Sequence, residues 1–243
     1  MNAPAVMLRC ILRVAAALAY WLTGDMAQAQ RLAAESVCLA GEREVPPAQG
    51  VTCATSAVMA QLDGDRDRAA VLGRAAEQVP EDVATLQWRQ WGAALRWWAG
   101  DRAAGEAEPP LPGPMLQPYF LALRADDERV PPATARALLD QALGAARSSG
   151  ERFCEAEILR LRGRAALREG RRQQAAADLV EAAGTARGQH AISLEMKALT
   201  DLVALLGDGS AVPPLSGLVE RIGDDAGSKV AANARAALAG FGA

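Results

Sequence analysis

The chain has 243 residues, 51% of them hydrophobic but only 4% aromatic, and a formal charge of −3. That is enough apolar material for one sizeable domain or two small ones, and it excludes wholesale disorder; the slightly acidic balance argues against a large nucleic-acid footprint. Strand-forming residues are sparse and scattered, which argues against a sheet, and much of the apolar content is alanine, the best helix former and a poor core filler. The expected core is thin, made by helices that pack closely through small side chains.

The first predicted element is a helix over Leu8–Leu22, then a turn at Gly24-Asp25, then a helix over Met26–Ala40. Arg9 and Arg13 precede the apolar stretch Val14–Leu22, and Ala27-Gln28-Ala29 follows it, so an export signal cut after Ala29 is the rival reading. Such a cut would divide the second helix, and the helix–turn–helix is preferred. No apolar run is read as long enough to span a membrane.

Gly-plus-polar turns then recur along the chain, at Gly24, Gly64, Gly100, Gly170 and Gly207, in steps of 40, 36, 70 and 37 residues. The step of 70 is about twice the others, so one unit is hidden between Gly100 and Gly170. A period in the mid-thirties marks a solenoid of helix pairs. Seven residues before these glycines stand Ala17, Ala57, Ala93, Gly163 and Thr200; five after them stand Ala29, Ala69, Gly105, Ala175 and Val212; twelve after them stand Ser36, Ala76, Pro112, Ala182 and Val219. Small residues at these offsets let antiparallel helices approach, as in the skeleton of the tetratricopeptide repeat. The match is good in units one, two and five, partial in six, and lost after Gly100.

That loss has a cause in the sequence. Pro109, Pro110, Pro112 and Pro114 cannot lie in a helix interior, so the second helix of unit three is expected to be an extended linker over residues 104–114, separating helical repeats in 1–103 from those in 115–243. Unit four begins with a short helix around Met115–Ala125 and a charged turn, Asp126-Asp127-Glu128-Arg129. Its second helix starts at Pro131-Pro132, with Pro132 in the first turn where proline is tolerated.

Pro118-Tyr119-Phe120-Leu121-Ala122-Leu123 and the stretch from Gly150-Glu151-Arg152-Phe153-Cys154-Glu155 to Gly163 resemble the C-terminal tetratricopeptide region of large bacterial signal-transduction ATPases, of the winged-helix transcriptional-regulator or nucleotide-cyclase type. Ala17–Asp25 and the Trp-rich Leu86–Gly100 resemble it too. The resemblance covers nearly the whole chain; its most specific part is Gly150–Gly163. It implies an all-α, right-handed α-solenoid of about six helix pairs, irregular at units three and four, that works in the bacterial cytoplasm in signal transduction. No P-loop precedes the repeats, so the expectation is a sensor or scaffold tail without its ATPase. The alternatives are a truncated regulator or cyclase remnant acting with a separately encoded ATPase, and an exported repeat protein.

No catalytic, cofactor or metal site is expected. Cys10, Cys38, Cys53 and Cys154 have no zinc-type spacing and are read as reduced, buried thiols. His190, the only histidine, is read as a capping or surface residue beside the Gly188-Gln189 turn. The run from Gly223 to Gly227-Ser228-Lys229 is a near miss to a P-loop with its Lys and Ser in the wrong order and no strand ahead of it; Ser228 is instead expected to cap a last helix over Lys229–Ala239. Gly207-Asp208-Gly209 lacks the third glycine and the strand of a dinucleotide site. Trp88, Trp91 and Trp98 share one helix face and Trp97 points elsewhere, a pattern read as packing.

The densest basic cluster is Arg160, Arg164, Arg168, Arg171 and Arg172. By the glycine register, Arg160 and Arg164 fall on the groove side of a first helix, with Lys197 at the matching place in the next unit. A basic groove suits an acidic peptide or a carboxylate. Arg160, Arg164 and Lys197 are therefore the candidate partner-binding residues, and the expected partner is a protein or peptide, with no direct nucleic-acid or membrane contact. The rival is a solvated face balanced by Glu155, Glu157 and Glu169.

Overall fold

The computed structural model describes residues 2–207, 209–223 and 227–241. Among the described residues there are twelve α-helices, one short 3-10 turn and no strand, so the chain is all-α. The helices are α1 (Ala3–Thr23), α2 (Met26–Glu42), α3 (Pro46–Asp63), α4 (Arg66–Glu77), α5 (Leu86–Trp98), α6 (Gln117–Ala125), α7 (Pro132–Ser149), α8 (Glu155–Arg168), α9 (Arg172–Gly188), α10 (Ile192–Leu206), α11 (Val212–Ile222) and α12 (Lys229–Phe241). The contacts divide the chain into two compact units: residues 1–21 with 25–115, and residues 22–24 with 116–243.

The recurring glycines end helices. Gly24, Gly64, Gly100, Gly170 and Gly207 all have positive φ, from 67° to 92°, the left-handed conformation that costs an L side chain about 1–2 kcal/mol. At the first four, the amide of the next residue donates back to the carbonyl five residues upstream: Asp25 to Tyr20, Asp65 to Ala60, Asp101 to Arg96 and Arg171 to Ala166, at 2.8–3.2 Å. This bond satisfies a carbonyl that the helix end would leave orphaned. At the first two of these the aspartate then starts the next helix. Asp25 accepts from the Gln28 amide at 3.1 Å and Asp65 from the Arg68 amide at 3.2 Å, the side-chain cap of a helix N-terminus. Two residues thus stop one helix and start its antiparallel neighbour.

The small residues sit where those neighbours touch. Ala17, Ala29, Ser36, Ala57, Ala69, Ala76, Ala175 and Ala182 are fully buried. At Gly163 an added Cβ would lie 3.1 Å from the Ala175 carbonyl oxygen, so the positions seven before and five after Gly170 face one another across the α8–α9 hairpin. In unit three the closest approach falls one residue early. Gly92, not the half-buried Ala93, packs against α4, where a Cβ would meet the Gly73 carbonyl and lie 2.8 Å from the Glu77 amide. In unit six Thr200, Val212 and Val219 are half-buried, and the packing is carried by Ala211 and Leu215.

The proline-rich stretch is non-helical, as are all residues from Asp101 to Leu116. It is held by Arg96 of α5, which donates to Glu77 of α4 at 2.7 Å, to the Asp101 carbonyl at 2.6 Å and to Glu106. The Arg96 guanidinium and the Ala103 amide hold the Glu106 carboxyl down to about 2. Asp101 has no helix to cap and accepts from Arg74 at 2.5 Å. Pro131 precedes α7 and Pro132 opens it, as expected.

Two expectations are corrected. α1 starts five residues earlier than read and has 21 residues, with an 18-residue stretch of mean hydropathy 1.7, long and apolar enough to cross a membrane by length and composition. Cys10, Cys53 and Cys154 are buried, but Cys38 is exposed. It lies off the buried stripe Met26, Ala29, Ala33, Ser36 and Ala40 of α2.

Gly92→Ala is expected to lower stability by about 1–3 kcal/mol, the usual cost of overpacking. Gly144→Ala, at an exposed mid-helix position with nothing within 4 Å of the new methyl, is expected to raise it by about 0.5–1 kcal/mol. Thermal denaturation followed by circular dichroism separates the two; equal shifts would contradict the backbone contact between α4 and α5.

Candidate functional site

The three candidate groove residues lie on α8 and α10, and the structure treats them differently. Glu155 and Glu157 stand in the first turn of α8, where carboxylates suit the positive end of the helix dipole. Three residues on, Arg160 turns back over Glu157: its Nε and one Nη donate to the two carboxylate oxygens at 2.8 Å each. Its other Nη donates to Asp201 of α10 at 2.6 Å, and Lys197 Nζ of α10 donates to Glu157 Oε1 at 2.7 Å. The side chains of Glu157, Arg160 and Lys197 are only 5%, 8% and 12% exposed.

Burial opposes ionisation of Glu157, but Arg160 and Lys197 outweigh it and hold the carboxyl well below the usual carboxylate range. Burial likewise works against the Arg160 charge, and Glu157 and Asp201 reverse the effect, leaving its pKa above the usual value. On Lys197 burial prevails and the pKa is lowered. The buried Tyr119 of α6 is pushed up by the same loss of solvent, and so is Cys154.

The basic groove expected at Arg160, Arg164 and Lys197 is therefore corrected. Arg160 and Lys197 are interleaved with Glu157 and Asp201, and residues 154–161 are all buried. Of the three, only Arg164 is half-exposed, with Nη1 3.7 Å from Asp126. The remaining arginines of the cluster tie turns together. Arg168 donates to the carbonyls of Glu128 and Val130 at 2.9 Å each, Arg172 donates to the Leu205 carbonyl, and Arg171 pairs with Glu169 at 3.0 Å.

A second set of charges braces successive helices. Arg147, in the last turn of α7, donates to Glu155 at the start of α8; Arg187, in the last turn of α9, donates to Glu195 in the first turn of α10, both at 2.8 Å. The pairs are forty residues apart, and the signal was present in Ala146-Arg147 and Ala186-Arg187 with glutamates eight residues after each arginine. The same spacing aligns Gly150, at φ 80°, with His190, at φ 56°. His190 is exposed in the turn before α10.

The tryptophans pack. Trp91 and Trp98 are buried, and Trp88 meets Trp91 edge-on at 5.2 Å. Arg66 covers Trp98 at 4.3 Å and Arg102 covers Trp97 at 4.4 Å, both cation–π geometries. Ser228 caps α12 by accepting from the Ala231 amide at 3.3 Å, and α12 runs to Phe241, two residues beyond the expectation. Asp208 and residues 224–226 of the two glycine-containing motifs lie outside the described residues. Among the described residues, no group of three or more His, Cys, Asp or Glu is placed to hold a metal ion.

With this geometry in hand, comparison with known proteins adds no relative: no family model, no curated protein and no solved structure matches the chain.

Removing Glu157 takes from Arg160 and Lys197 the buried carboxylate to which both donate. Glu157→Gln is expected to destabilise by about 3–5 kcal/mol, whereas replacing Glu157, Arg160 and Lys197 together by Leu, Met and Leu restores much of the loss. Glu157 has a lowered folded-state pKa, so its contribution is present above the ordinary carboxylate range and is lost as pH falls from about 5 towards the folded value. Urea denaturation between pH 7 and pH 3 checks both: the wild-type chain should weaken with acid more steeply than Glu157→Gln. Parallel slopes would contradict the assignment.

Proposed function

We propose that the protein is a non-catalytic helical-repeat module for protein–protein interaction, built as a right-handed solenoid of about six tetratricopeptide-like helix pairs in which the third pair lacks its second helix. The observation that carries this reading is the repetition of one hairpin device. A left-handed glycine and the same backward backbone bond close the first helix at Gly24, Gly64, Gly100 and Gly170. The order of packing supports it. Within residues 25–115, α2 packs on α3, α3 on α4 and α4 on α5; within 116–243, α6 to α10 pack each on the next. First helices of successive pairs also touch: α3 with α5, α6 with α8, and α8 with α10. Such stacks draw their stability from neighbouring repeats and leave surface residues free for recognition.

The resemblance of Gly150–Gly163 and of Pro118–Leu123 to the tail of bacterial signal-transduction ATPases suggests a cytoplasmic scaffold or sensor role. The burial of Ala29 and Ala33 inside α2 supports a fold that keeps residues 3–29, against export with cleavage after Ala29.

The test is affinity isolation of the full chain from its host at physiological salt, followed by cross-linking mass spectrometry. A protein that co-elutes in fixed stoichiometry and cross-links to the helical units is expected. A chain that elutes alone, or retains the same proteins equally after thermal unfolding, overturns the reading.

A further inference from the structure

A cavity of about 20 Å³ lies within residues 21–68, bordered by Trp21 of α1, Ala29 and Gln30 of α2, and Ser56, Ala60 and Asp63 of α3. Ser56, Ala60 and Asp63 lie four and seven residues apart, so they share one face of α3. Their side chains are short, and so is that of Ala29 on the same border.

The glycine register shows how other first helices treat this position. Eight residues before Gly170 stands Arg162, which reaches Asp140 of α7 and Asp178 of α9. Eight before Gly207 stands Leu199, a large buried side chain. Eight before Gly100 stands Gly92, and there the backbone of α4 has closed onto α5. Eight before Gly64 stands Ser56. It is too small to fill the space as Leu199 does, and the helices do not close as they do at Gly92. The cavity is the space left over.

Ser56 is 2% exposed, and its Oγ has no hydrogen-bond partner among the described residues. Thr52, one turn earlier, turns its hydroxyl back on the Ala48 carbonyl at 2.8 Å, the usual local outlet for a hydroxyl inside a helix. Ser56 does not take that outlet, and its side chain borders the cavity. Buried hydroxyls are hydrogen-bonded as a rule, to protein or to ordered water.

Size and charge select the ligand. A volume of about 20 Å³ is room for one water-sized species. A monovalent cation is of similar size, but it would meet positive groups: Trp21 Nε1 directs its hydrogen at Asp63 Oδ1 from 3.4 Å, and Arg68 also borders the cavity. A buried water takes about three hydrogen bonds and needs a polar border. Gln30 supplies an amide there, from the helix that faces Ser56 across the gap.

We infer that this cavity is a hydration site. One ordered water, hydrogen-bonded to Ser56 Oγ and to the Gln30 side chain, joins α3 to α2 where their small side chains leave them apart. The water takes the place that Leu199 fills with carbon in α10.

A high-resolution crystal structure of the full chain tests this directly. A single water oxygen at hydrogen-bond distance from Ser56 Oγ and the Gln30 amide is expected. Ser56→Ala and Gln30→Leu each remove one partner of that water, and each should lower the thermal midpoint by about 2–4 °C, the shift for one ordinary hydrogen bond in a chain of this size. A dry cavity predicts the opposite sign for Ser56→Ala, because the variant then only removes an unpaired hydroxyl; an unchanged or raised midpoint overturns the inference. So does density in which the Ser56 hydroxyl turns back on the Thr52 carbonyl beside a site that xenon enters under pressure. A peak at the site that strengthens in potassium or ammonium chloride but not in tetramethylammonium chloride, with a matching rise in the midpoint, makes it a cation site and overturns the inference too. The wild-type density decides the matter even if a variant fails to fold.

Discussion

Everything in this fold depends on how closely two helices approach at a hairpin. Alanine offers little side-chain area for hydrophobic burial, so contact has to be made near the backbone. The left-handed glycine makes this possible twice over. It ends a helix within one residue and, through the backward bond of the following amide, fixes the direction of the next. Once direction is fixed, residues seven before and five after the glycine must meet, and only small side chains fit. Gly163 against Ala175 is the direct demonstration.

The same constraint explains how a pair survives losing a helix. Without a second helix after Gly100, no small-residue face is available to cover the outer side of α5. The chain substitutes charge for surface. Arg96 gathers Glu77, the Asp101 carbonyl and Glu106, tying the non-helical segment to α4 and α5. Arginine suits this because its fork of donors satisfies several acceptors at once, and its long aliphatic stem covers apolar surface on the way. Asp101, whose counterparts Asp25 and Asp65 cap helices, becomes an acceptor for Arg74.

These features differ in how far the sequence discloses them. The glycine period, the small offsets and the proline break were legible because each reports a local backbone requirement within one hairpin. The all-α class followed from them together with the alanine content. The candidate groove was not legible, because the residues that neutralise it come from another helix: Asp201 lies 41 positions from Arg160 and Lys197 lies 40 from Glu157. A face drawn on one helix cannot show which charges its neighbour supplies. The Arg147–Glu155 and Arg187–Glu195 braces recur at a fixed interval and could have been found by aligning units on the second helix instead of the first. Cys38 departs from the buried-thiol expectation because helical phase, not residue type, sets which face it occupies.

The two kinds of ion pair do different work. The braces join the last turn of one helix to the first turn of the next, so each arginine meets a negative helix end and each glutamate a positive one; pair and dipoles act in the same sense. The Glu157, Arg160, Lys197 and Asp201 network is different, because Glu157 and Arg160 are buried and desolvation offsets much of their attraction. Replacement by apolar residues of similar size could serve stability as well, so its contribution lies elsewhere. Alanine faces are nearly featureless: a helix sliding by one turn against another would exchange one methyl for the next at small cost. A carboxylate held by two donors from Arg160 and one from Lys197 has a single register in which every charge is met. α8 and α10 themselves bury Ile158, Leu159, Leu194 and Met196, so the network adds a charge register to helices that already carry large core side chains.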